Sequence, residues 1–277
     1  MFSKSLRSNF SLKKTALHDY HINKLNCSKM IEFGGYSMPS FYKNGDFPTK
    51  QEYAACREYA AVFDISHMGQ LKFRGKDRLE FLERVYTADF RKLLMGSSSL
   101  SLILNKEGGI IDDSIISNLG DHHHAVVNAM NTDSDLAHFN NILKEEFADK
   151  DVQIENLKDQ ALIALQGPKA MEILQKLVDI DLCHFKFMST MTLPFKGLGF
   201  EATICRCGYT GEDGFEISVA PEHAIALVDK LLEDEKVSPA GLVTRDSLRL
   251  EAGLCLHGSD ITQQITPIEA MLMWTVR

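Results

Sequence analysis

This chain of 277 residues lacks the features of several specialised protein classes. No apolar run approaches the length of a membrane span, and there is neither an internal repeat nor a low-complexity tract. Positive charge is not in excess, because the formal net charge is −8 and the pI is near 5.7, which argues against a nucleic-acid-binding protein. With 44% hydrophobic residues, the chain can bury a substantial core in one large domain or in two.

Cysteine pairs with metal-binding or redox spacing are also missing. The six cysteines are scattered without a CxxC motif, and Cys205 and Cys207 lie one residue apart on a predicted strand, a poor geometry for a disulfide. The sequence therefore predicts free thiols in a reducing compartment. His67 has no second His or Cys at ligand spacing, which favours a structural hydrogen bond over metal binding. The histidine run 122–124 follows Gly120 and Asp121, so a solvated hairpin tip is predicted there.

Acidic residues are absent from the first 14 residues. This segment carries Lys4, Arg7, Lys13, Lys14 and four serines, and the first carboxylate is Asp19. It has no continuous apolar core of the kind found in secretory signals. The composition predicts a mitochondrial transit peptide over residues 1–14, with a disordered basic tail as the alternative.

The most informative stretch is RCGYTGEDGFEI, residues 206–217, between two extended runs. Three glycines mark a loop that is too long for a tight hairpin, and glycine permits positive φ and close approach of other groups. Strand alternation places Phe215, Ile217 and Val219 on one face and Glu216 with Ser218 on the other. Glu216 is then either a solvated residue at the start of a hairpin or a cleft residue that faces Tyr209 across the loop.

A second stretch of chemical interest follows the predicted turn at residues 105–109. Alternation in the next strand places Asp113 with Ile111 and Ile115, on an apolar face where burial disfavours a charge. Asp112 shares a face with Ser114 and is interpreted as a solvent-side residue. A bulge in the strand would exchange the two faces, so the pattern alone leaves both assignments open.

The remaining pattern predicts an α+β fold of mainly antiparallel sheets with packed helices, because hairpin signals outnumber βαβ units. Residues 15–42 are predicted to be irregular, with Gly34, Gly35 and Pro39 as breakers, and residues 49–62 to be helical. Ser238 and Pro239 are predicted to begin a helix that stops at Gly253.

Two arginines on that last helix differ in their predicted partners. Arg249 has Asp246 three residues away on the same helix, and this aspartate is a sufficient partner for its charge. Arg245 has no such local partner, so it is predicted to face a ligand or a distant carboxylate.

Seven segments together carry a family resemblance. In addition to residues 206–217 they are FGGYSMP (33–39), FDISHM (63–68), NKEGGIIDD (105–113), VVNAMN (126–131), LQGP (165–168) and GLVTRDSLRLEAGLCLHG (241–258). In this order they resemble the aminomethyltransferase (T protein) family of the glycine cleavage system, from about Thr15 to the last residue. The chain departs from the family pattern at Tyr36, His257 and Ser259.

The resemblance implies the aminomethyltransferase folate-binding fold and a one-carbon transfer reaction. The family moves the methylene of an aminomethyl group, carried on the lipoyl arm of the H protein, to tetrahydrofolate with release of ammonia. The expected location is the mitochondrial matrix, the expected partners are folate and lipoylated H protein, and neither nucleic acid nor a membrane is expected. By the resemblance, the second aspartate of the pair, Asp113, is catalytic. Expected folate contacts are Asn128, Tyr209, Glu216, Arg245, Met68, Leu100 and Trp274.

The resemblance also sets an expectation for domains. Residues 15–277 are expected to form the folate-binding region, without the C-terminal β-barrel domain that closes one side of the family's folate site. On this expectation the folate cleft is unusually open, and apolar surface is exposed around Trp274. The alternatives are a catalytically weak or inactive folate-binding module and a relative that serves iron–sulfur assembly, although the KGCYxGQE-type motif of such relatives is not found here.

Overall fold

The structure, a computed structural model, describes residues 11–42 and 47–277. The helices are α1 (His18–Asn23), α2 (Pro48–Glu58), α3 (Arg78–Val85), α4 (Thr132–Glu146), α5 (Ala170–Gln175), α6 (Ala224–Leu231) and α7 (Leu242–Glu251). The first strands are β1 (Cys27–Phe33), β2 (Tyr36–Tyr42), β3 (Ala60–Asp64), β4 (Gly69–Arg74), β5 (Ser98–Leu104), β6 (Ile110–Asn118) and β7 (His123–Val127). They are followed by β8 (Gln153–Asn156), β9 (Ala161–Gln166), β10 (Thr190–Pro194), β11 (Glu201–Cys205), β12 (Gly214–Val219) and β13 (Val237–Pro239).

Two large sheets form the centre of the molecule. One has six strands in the order β10-β11-β12-β9-β3-β13, and the other has five in the order β5-β6-β7-β4-β8. All neighbours in both sheets are antiparallel except β13 and β3. This confirms the predicted α+β fold of mainly antiparallel sheets.

The alternation of side chains along the strands sorts the core into layers. On β12, Phe215, Ile217 and Val219 face the outer core that α5 and α6 cover. On the five-stranded sheet, Leu71 and Ile116 face a second outer core, shared with α3 and α4. The inner faces of the two sheets meet between these cores, so polar residues on those faces line a gap instead of the outer surface.

The hairpin β1–β2 corrects the prediction that residues 15–42 are irregular. Gly34 and Gly35 have φ values of 60° and 79°, as a two-residue type I′ turn requires. The glycine pair therefore connects two strands where it was interpreted as a breaker. Pro39 is accommodated within β2, which forms a two-stranded sheet with β1.

Two predicted helix boundaries are also wrong. The helix predicted over residues 49–62 ends at Glu58, and Ala60–Asp64 is a buried strand between β9 and β13. Ser238 and Pro239 lie in β13, and the helix that follows begins at Leu242. In both cases strand pairing overrides a local helix signal. Gly253, at φ 68°, lies just beyond the last helix as predicted.

The predicted transit peptide falls mostly outside the described residues. Residues 1–10 lie beyond them, while the backbone N–H of Lys13 donates to the Gly35 carbonyl at 3.0 Å. Within the described ranges, no helix combines the length and apolar character needed to cross a bilayer.

Candidate functional site

Glu216 lies in the gap between the two sheets, which agrees with the cleft alternative and not with the solvated one. The small cavity there has a volume of about 20 Å³, which is room for one or two water molecules. The five-stranded sheet lines this cavity with Ile115, Ser117, His124 and Val126. The six-stranded sheet lines it with Leu162, Thr190, Thr203, Cys205, Glu216 and Ser218. Asp113 precedes Ile115 and Ser117 on the same face of β6. Asp113 and Glu216 therefore face the gap from opposite sheets.

The loop between β11 and β12 is held rigidly by Gln166, the glutamine of the LQGP segment. Its Nε2 donates to the Cys207 carbonyl at 3.0 Å, and its Oε1 accepts from the Thr210 hydroxyl at 2.9 Å. A Cβ at Gly208 would lie 1.8 Å from Gln166 Oε1, so only glycine permits this approach. The close packing of the buried Gln166 side chain against the loop therefore explains why residue 208 is a glycine.

Tyr209 and Arg245 form a stacked pair beside Glu216. The Arg245 guanidinium carbon lies 4.8 Å from the centre of the Tyr209 ring, and the Tyr209 hydroxyl donates to the Cys255 carbonyl at 2.5 Å. Burial lowers the pKa of Arg245, and the charge of Glu216 opposes this shift. Burial also raises the pKa of Glu216, opposed by Arg245. The two charges thus stabilise one another, as the prediction of a distant carboxylate for Arg245 requires.

Arg245 nevertheless retains hydrogen-bonding capacity. Its Nη1 is buried and has no hydrogen-bond partner within residues 11–42 and 47–277. No ion pair within 4.0 Å joins it to Glu216 in the same ranges. A buried donor without a partner is costly, and a bound acceptor would remove that cost. Arg249, by contrast, is fully engaged, with Nε donating to Asp246 at 2.8 Å and Nη1 to Asp260.

The structure reverses the predicted burial of the two aspartates on β6. Asp112, interpreted as a solvent-side residue, is completely buried, and Asp113 is half-buried. The predicted grouping of Asp113 with Ile111 is wrong, because a break in register opposite Ile103 and Leu104 places Ile111 with Ile116 in the outer core. Asp113 shares its face with Ile115, which lines the gap between the sheets, whereas Asp112 is bound by Asn131 at the start of α4, so each face of β6 is covered. A strand with two covered faces has no solvent side, so its sequence pattern cannot identify one.

Asn128, expected at the folate, joins the two aspartates. Its Nδ2 donates to Asp112 Oδ1 at 2.8 Å and to Asp113 Oδ1 at 2.9 Å. Its backbone N–H donates to Asp112 Oδ2 at 2.9 Å. Asp112 thereby orients the amide that holds Asp113.

Two further residues of this network were not identified from the sequence. Asn131 Nδ2 donates to Asp112 Oδ1 at 2.6 Å and lies 2.8 Å from His257 Nδ1. His257 Nε2 lies 3.0 Å from the Ile110 carbonyl and donates to it, which leaves Nδ1 as the acceptor for Asn131. The spacing of Asn128 and Asn131, three residues apart, was the available signal: the chain turns into α4 there, and both amides reach the same carboxylate.

Burial and charge make Asp113 a weak acid compared with an exposed aspartate. Burial first, and then the charge of Asp112, raise its pKa to about 7, while the hydrogen bond from Asn128 opposes the shift. Asp113 also acts electrostatically on Tyr209, whose pKa is raised by burial. A carboxyl that titrates near neutral pH beside a solvent-accessible gap can stabilise a developing positive charge or move a proton.

The other three expected folate contacts are less closely connected to this group. Leu100 pairs with Ile115 across β5 and β6, which places it on the gap face, and Met68 packs against the inner core between the sheets. Trp274 is 62% exposed in the segment that contacts β5. The structure thus brings five expected residues together, places two at the margin and leaves the tryptophan on the surface.

The histidine predictions are wrong in part. His123 and His124 are buried in β7 and do not form a solvated tip, because the hairpin turn lies before His123. His67 is buried edge-on against Phe33, and its Nδ1 has no hydrogen-bond partner in the described chain, where a structural hydrogen bond was predicted. Burial lowers its pKa to about 4. The six cysteines are free, as predicted, and the described residues contain no cluster of metal-ligating side chains.

Comparisons with known proteins are consistent over almost the whole chain. A family model described as the GCVT N-terminal domain matches residues 17–277. The chain is 45% identical to the mitochondrial aminomethyltransferase of Dictyostelium discoideum, covering 97% of this chain and 68% of that protein. It is 44% identical to the mitochondrial aminomethyltransferase of Solanum tuberosum, covering 97% of this chain and 66% of the relative. The chain thus spans about two thirds of the length of these curated relatives.

A solved structure shows the same architecture. The glycine cleavage system aminomethyltransferase T from Bartonella henselae superposes with a TM-score of 0.86 at 38% identity. The match covers 96% of this chain and 70% of that chain.

Proposed function

This chain belongs to the aminomethyltransferase family of the glycine cleavage system, and from that membership we propose that it transfers a one-carbon unit to tetrahydrofolate. The donor is an aminomethyl group on the lipoyl arm of the H protein, and ammonia is released. The observation that supports this most directly is the placement of Asp113 and Glu216 on facing sheets, with Arg245 and Tyr209 beside Glu216.

Glu216 and Arg245 supply the recognition chemistry for a pterin ring. A pterin presents an N–H and an amino group as a planar pair of donors, which a carboxylate such as Glu216 can accept together. It also presents acceptors, and Arg245 Nη1 is a buried donor with no partner in the described residues. The ring of Tyr209, already fixed through its hydroxyl, provides an aromatic wall.

Glu216, Arg245 and Tyr209 fit a pterin ring chemically, but the cavity beside Glu216 is too small to hold the ring. A volume of about 20 Å³ beside Glu216 is far below that of a pterin. The ring is therefore proposed to lie where Tyr209, Arg245 and Asp113 are half-buried and meet solvent, with only its donor edge reaching Glu216. Leu100 and Met68 are proposed to line the margin of this space, and Trp274 to contact the folate beyond the ring.

Asp113 is the proposed catalytic residue. Tetrahydrofolate supplies the nitrogen nucleophiles that accept the one-carbon unit. Asp113, fixed by Asn128, would orient that acceptor and stabilise the positive charge that develops on the transferred carbon. Such stabilisation requires the ionised carboxylate, and a pKa of about 7 leaves a large ionised fraction under mildly alkaline conditions.

The location follows from the relatives and from the leader. The curated relatives are mitochondrial by name, and this chain is placed in the mitochondrial matrix. The basic, acid-free residues 1–14 are proposed to direct import, with cleavage near Lys14. A fusion of residues 1–30 to a fluorescent reporter should enter mitochondria, and a reporter that stays in the cytosol would contradict this.

The reaction is tested by ammonia release. The purified chain is mixed with H protein that carries the aminomethylated lipoyl arm, with and without tetrahydrofolate. Release that depends on tetrahydrofolate supports the proposal. Folate binding without release would identify a binding module of the same family, and neither binding nor release would contradict the proposed function.

A further inference from the structure

Asp135 is a carboxyl group that the proposed reaction does not use, and its burial needs an explanation. It lies in the first turn of α4, is completely buried, and neither of its oxygens has a hydrogen-bond partner in the described chain. The helix layer on this side is apolar: Phe139 lies one turn further along α4, and the Tyr86 ring lies 5.5 Å from that of Phe139. An ionised carboxylate without donors in such a layer would be very unfavourable.

Asn131 connects Asp135 to Asp112: the Asp135 backbone N–H donates to the Asn131 carbonyl at 2.8 Å, and the Asn131 side chain donates to Asp112 Oδ1 at 2.6 Å. Asp112 is thereby the carboxyl group whose charge acts most strongly on Asp135. Asp112 already accepts hydrogen bonds from the Asn128 backbone, the Asn128 side chain and the Asn131 side chain. Two carboxyl groups can share a hydrogen bond only if one of them carries a proton. Because Asp112 has three donors and Asp135 has none, the proton belongs on Asp135.

Charges near Asp135 favour the same assignment. Burial first, and then the charge of Asp112, raise its pKa to about 10, and Asp113 adds to the shift. The charged groups acting on it from β6 are thus both negative. The Tyr86 hydroxyl, in the segment after α3, is also buried, and no residue of the described chain forms a hydrogen bond with it.

We propose that Asp135 is a positioning residue whose neutral carboxyl donates a hydrogen bond to Asp112 and so fixes the two amides that Asp112 binds. Through Asn128 the effect reaches Asp113, and through Asn131 it reaches His257. The first of these consequences rests on the proposed catalytic role of Asp113. The protonation of Asp135 does not depend on that role.

The alternative is an ordinary ionised aspartate at a helix start, where a negative charge interacts favourably with the helix dipole. Asp133, exposed in the same turn of α4, provides the matched control. If Asp135 were ionised and stabilised by the helix dipole, Asp133→Asn and Asp135→Asn would each remove a charge and lower the free energy of unfolding by similar amounts. If Asp135 is neutral and donates to Asp112, Asp135→Asn removes no charge and keeps the donor, so it should lower the free energy of unfolding less than Asp133→Asn does.

Infrared difference spectroscopy tests the protonation directly. At about pH 8, above the pKa of about 7 for Asp113 and below that of about 10 for Asp135, Asp135 should contribute the C=O stretching band of a protonated carboxyl. The band should disappear in Asp135→Asn and persist in Asp133→Asn and Asp113→Asn. No band lost in Asp135→Asn would overturn the proposal, whatever the activity of the chain.

The positioning role is tested with two substitutions at the same site. Asp135→Asn should keep kcat within about threefold of wild type, because its amide donates to Asp112 as the acid does. Asp135→Leu, apolar and of similar size, should fold but lower kcat about tenfold with little change in KM for folate. Equal losses in both variants, or no loss in Asp135→Leu, would overturn this role. A wild-type chain with no transfer activity would refute the proposed function, and the infrared result would still decide the protonation of Asp135.

Discussion

Asp64 and Asp113 are buried aspartates of the two central sheets, and their pKa values are shifted in opposite directions. Asp64, on β3, accepts hydrogen bonds from the Thr15 hydroxyl at 2.7 Å, His21 Nε2 at 2.8 Å and the Ser66 backbone at 2.9 Å. Burial is the largest single influence and raises its pKa, but the hydrogen bond and charge of His21 and the hydrogen bonds of Ser66 together outweigh it, and the pKa falls to about 2. Among the described residues, the Asn128 side chain is the one side-chain donor to Asp113, so burial first and then the charge of Asp112 raise the pKa of Asp113 to about 7.

This difference shows that the number of hydrogen-bond donors around a buried carboxylate decides whether its charge stabilises the fold. Asp64 is saturated and ties the segment before β1 to the six-stranded sheet, and the Tyr42 hydroxyl lies 2.9 Å from the other nitrogen of His21. Asp113 is left with unused acceptor capacity and an unfavourable charge. A carboxylate in that condition stabilises the fold little and is available to a cationic partner.

The largest expected effect that would test this contrast is the loss of stability in Asp64→Asn. The substitution leaves His21 without its anionic partner, and breaking a buried pair costs about 3–5 kcal/mol of the free energy of unfolding. Because the folded pKa of Asp64 is depressed, its contribution is present above its ordinary pKa of 3.8 and is lost as pH falls through about 2. Denaturant unfolding at neutral pH measures the change.

The control for this prediction is Asp19→Asn. Asp19 is an exposed aspartate of α1, and its substitution should change the free energy of unfolding far less than Asp64→Asn does. A loss below about 1 kcal/mol in Asp64→Asn would show that the Asp64 cluster is not a main anchor of this region.

A smaller effect is expected for folate affinity in Glu216→Gln. Hydrogen bonds to a charged group contribute about 1.5–3 kcal/mol, so the dissociation constant for tetrahydrofolate should rise roughly 10- to 100-fold. Fluorescence or calorimetric titration measures this. Glu201→Gln, at an exposed position on the neighbouring strand, should bind as wild type does. Unchanged binding in Glu216→Gln would place the pterin edge elsewhere.

A third prediction concerns the pH dependence of kcat/KM, which reports the free enzyme. Because Asp113 must be ionised, kcat/KM should be flat above a pH of about 7 and should fall about tenfold per unit below it. Asp64, ionised down to a pH of about 2, should leave no trace in this range. A profile that stays flat down to pH 6 or so would show that the ionised form of Asp113 is not required.

The hairpin at Glu216 could be predicted from the sequence because one physical rule governs it. On β12 only one face is apolar, so the period of two separates Phe215, Ile217 and Val219 from Glu216 without knowledge of the rest of the chain. The glycine at position 208 could also be predicted, since a close approach was the expected reason for it.

The positions of Asp112 and Asp135, which act on Asp113 through Asn128, could not be predicted in this way. Both faces of β6 are covered, so alternation offered no solvent side on which to place Asp112. Asp135 has the appearance of an ordinary acid in the first turn of a helix, and its burial depends on how α4 packs against the sheet. Non-local packing decides these positions, and a single sequence does not contain it.

The most direct test of the contrast measures both properties in Asp113→Asn, at a pH above about 7. Removal of a preorganised electrostatic contact should lower the rate of ammonia release about 10²- to 10³-fold. The free energy of unfolding should not fall, because the raised pKa of Asp113 means that its charge opposes folding in this range. Asp64→Asn should give the converse: lower stability and, where folded, an unchanged rate. A variant Asp113→Asn that keeps its rate, or that loses more than about 2 kcal/mol of stability, would contradict the assignment of Asp113 to function and not to the fold.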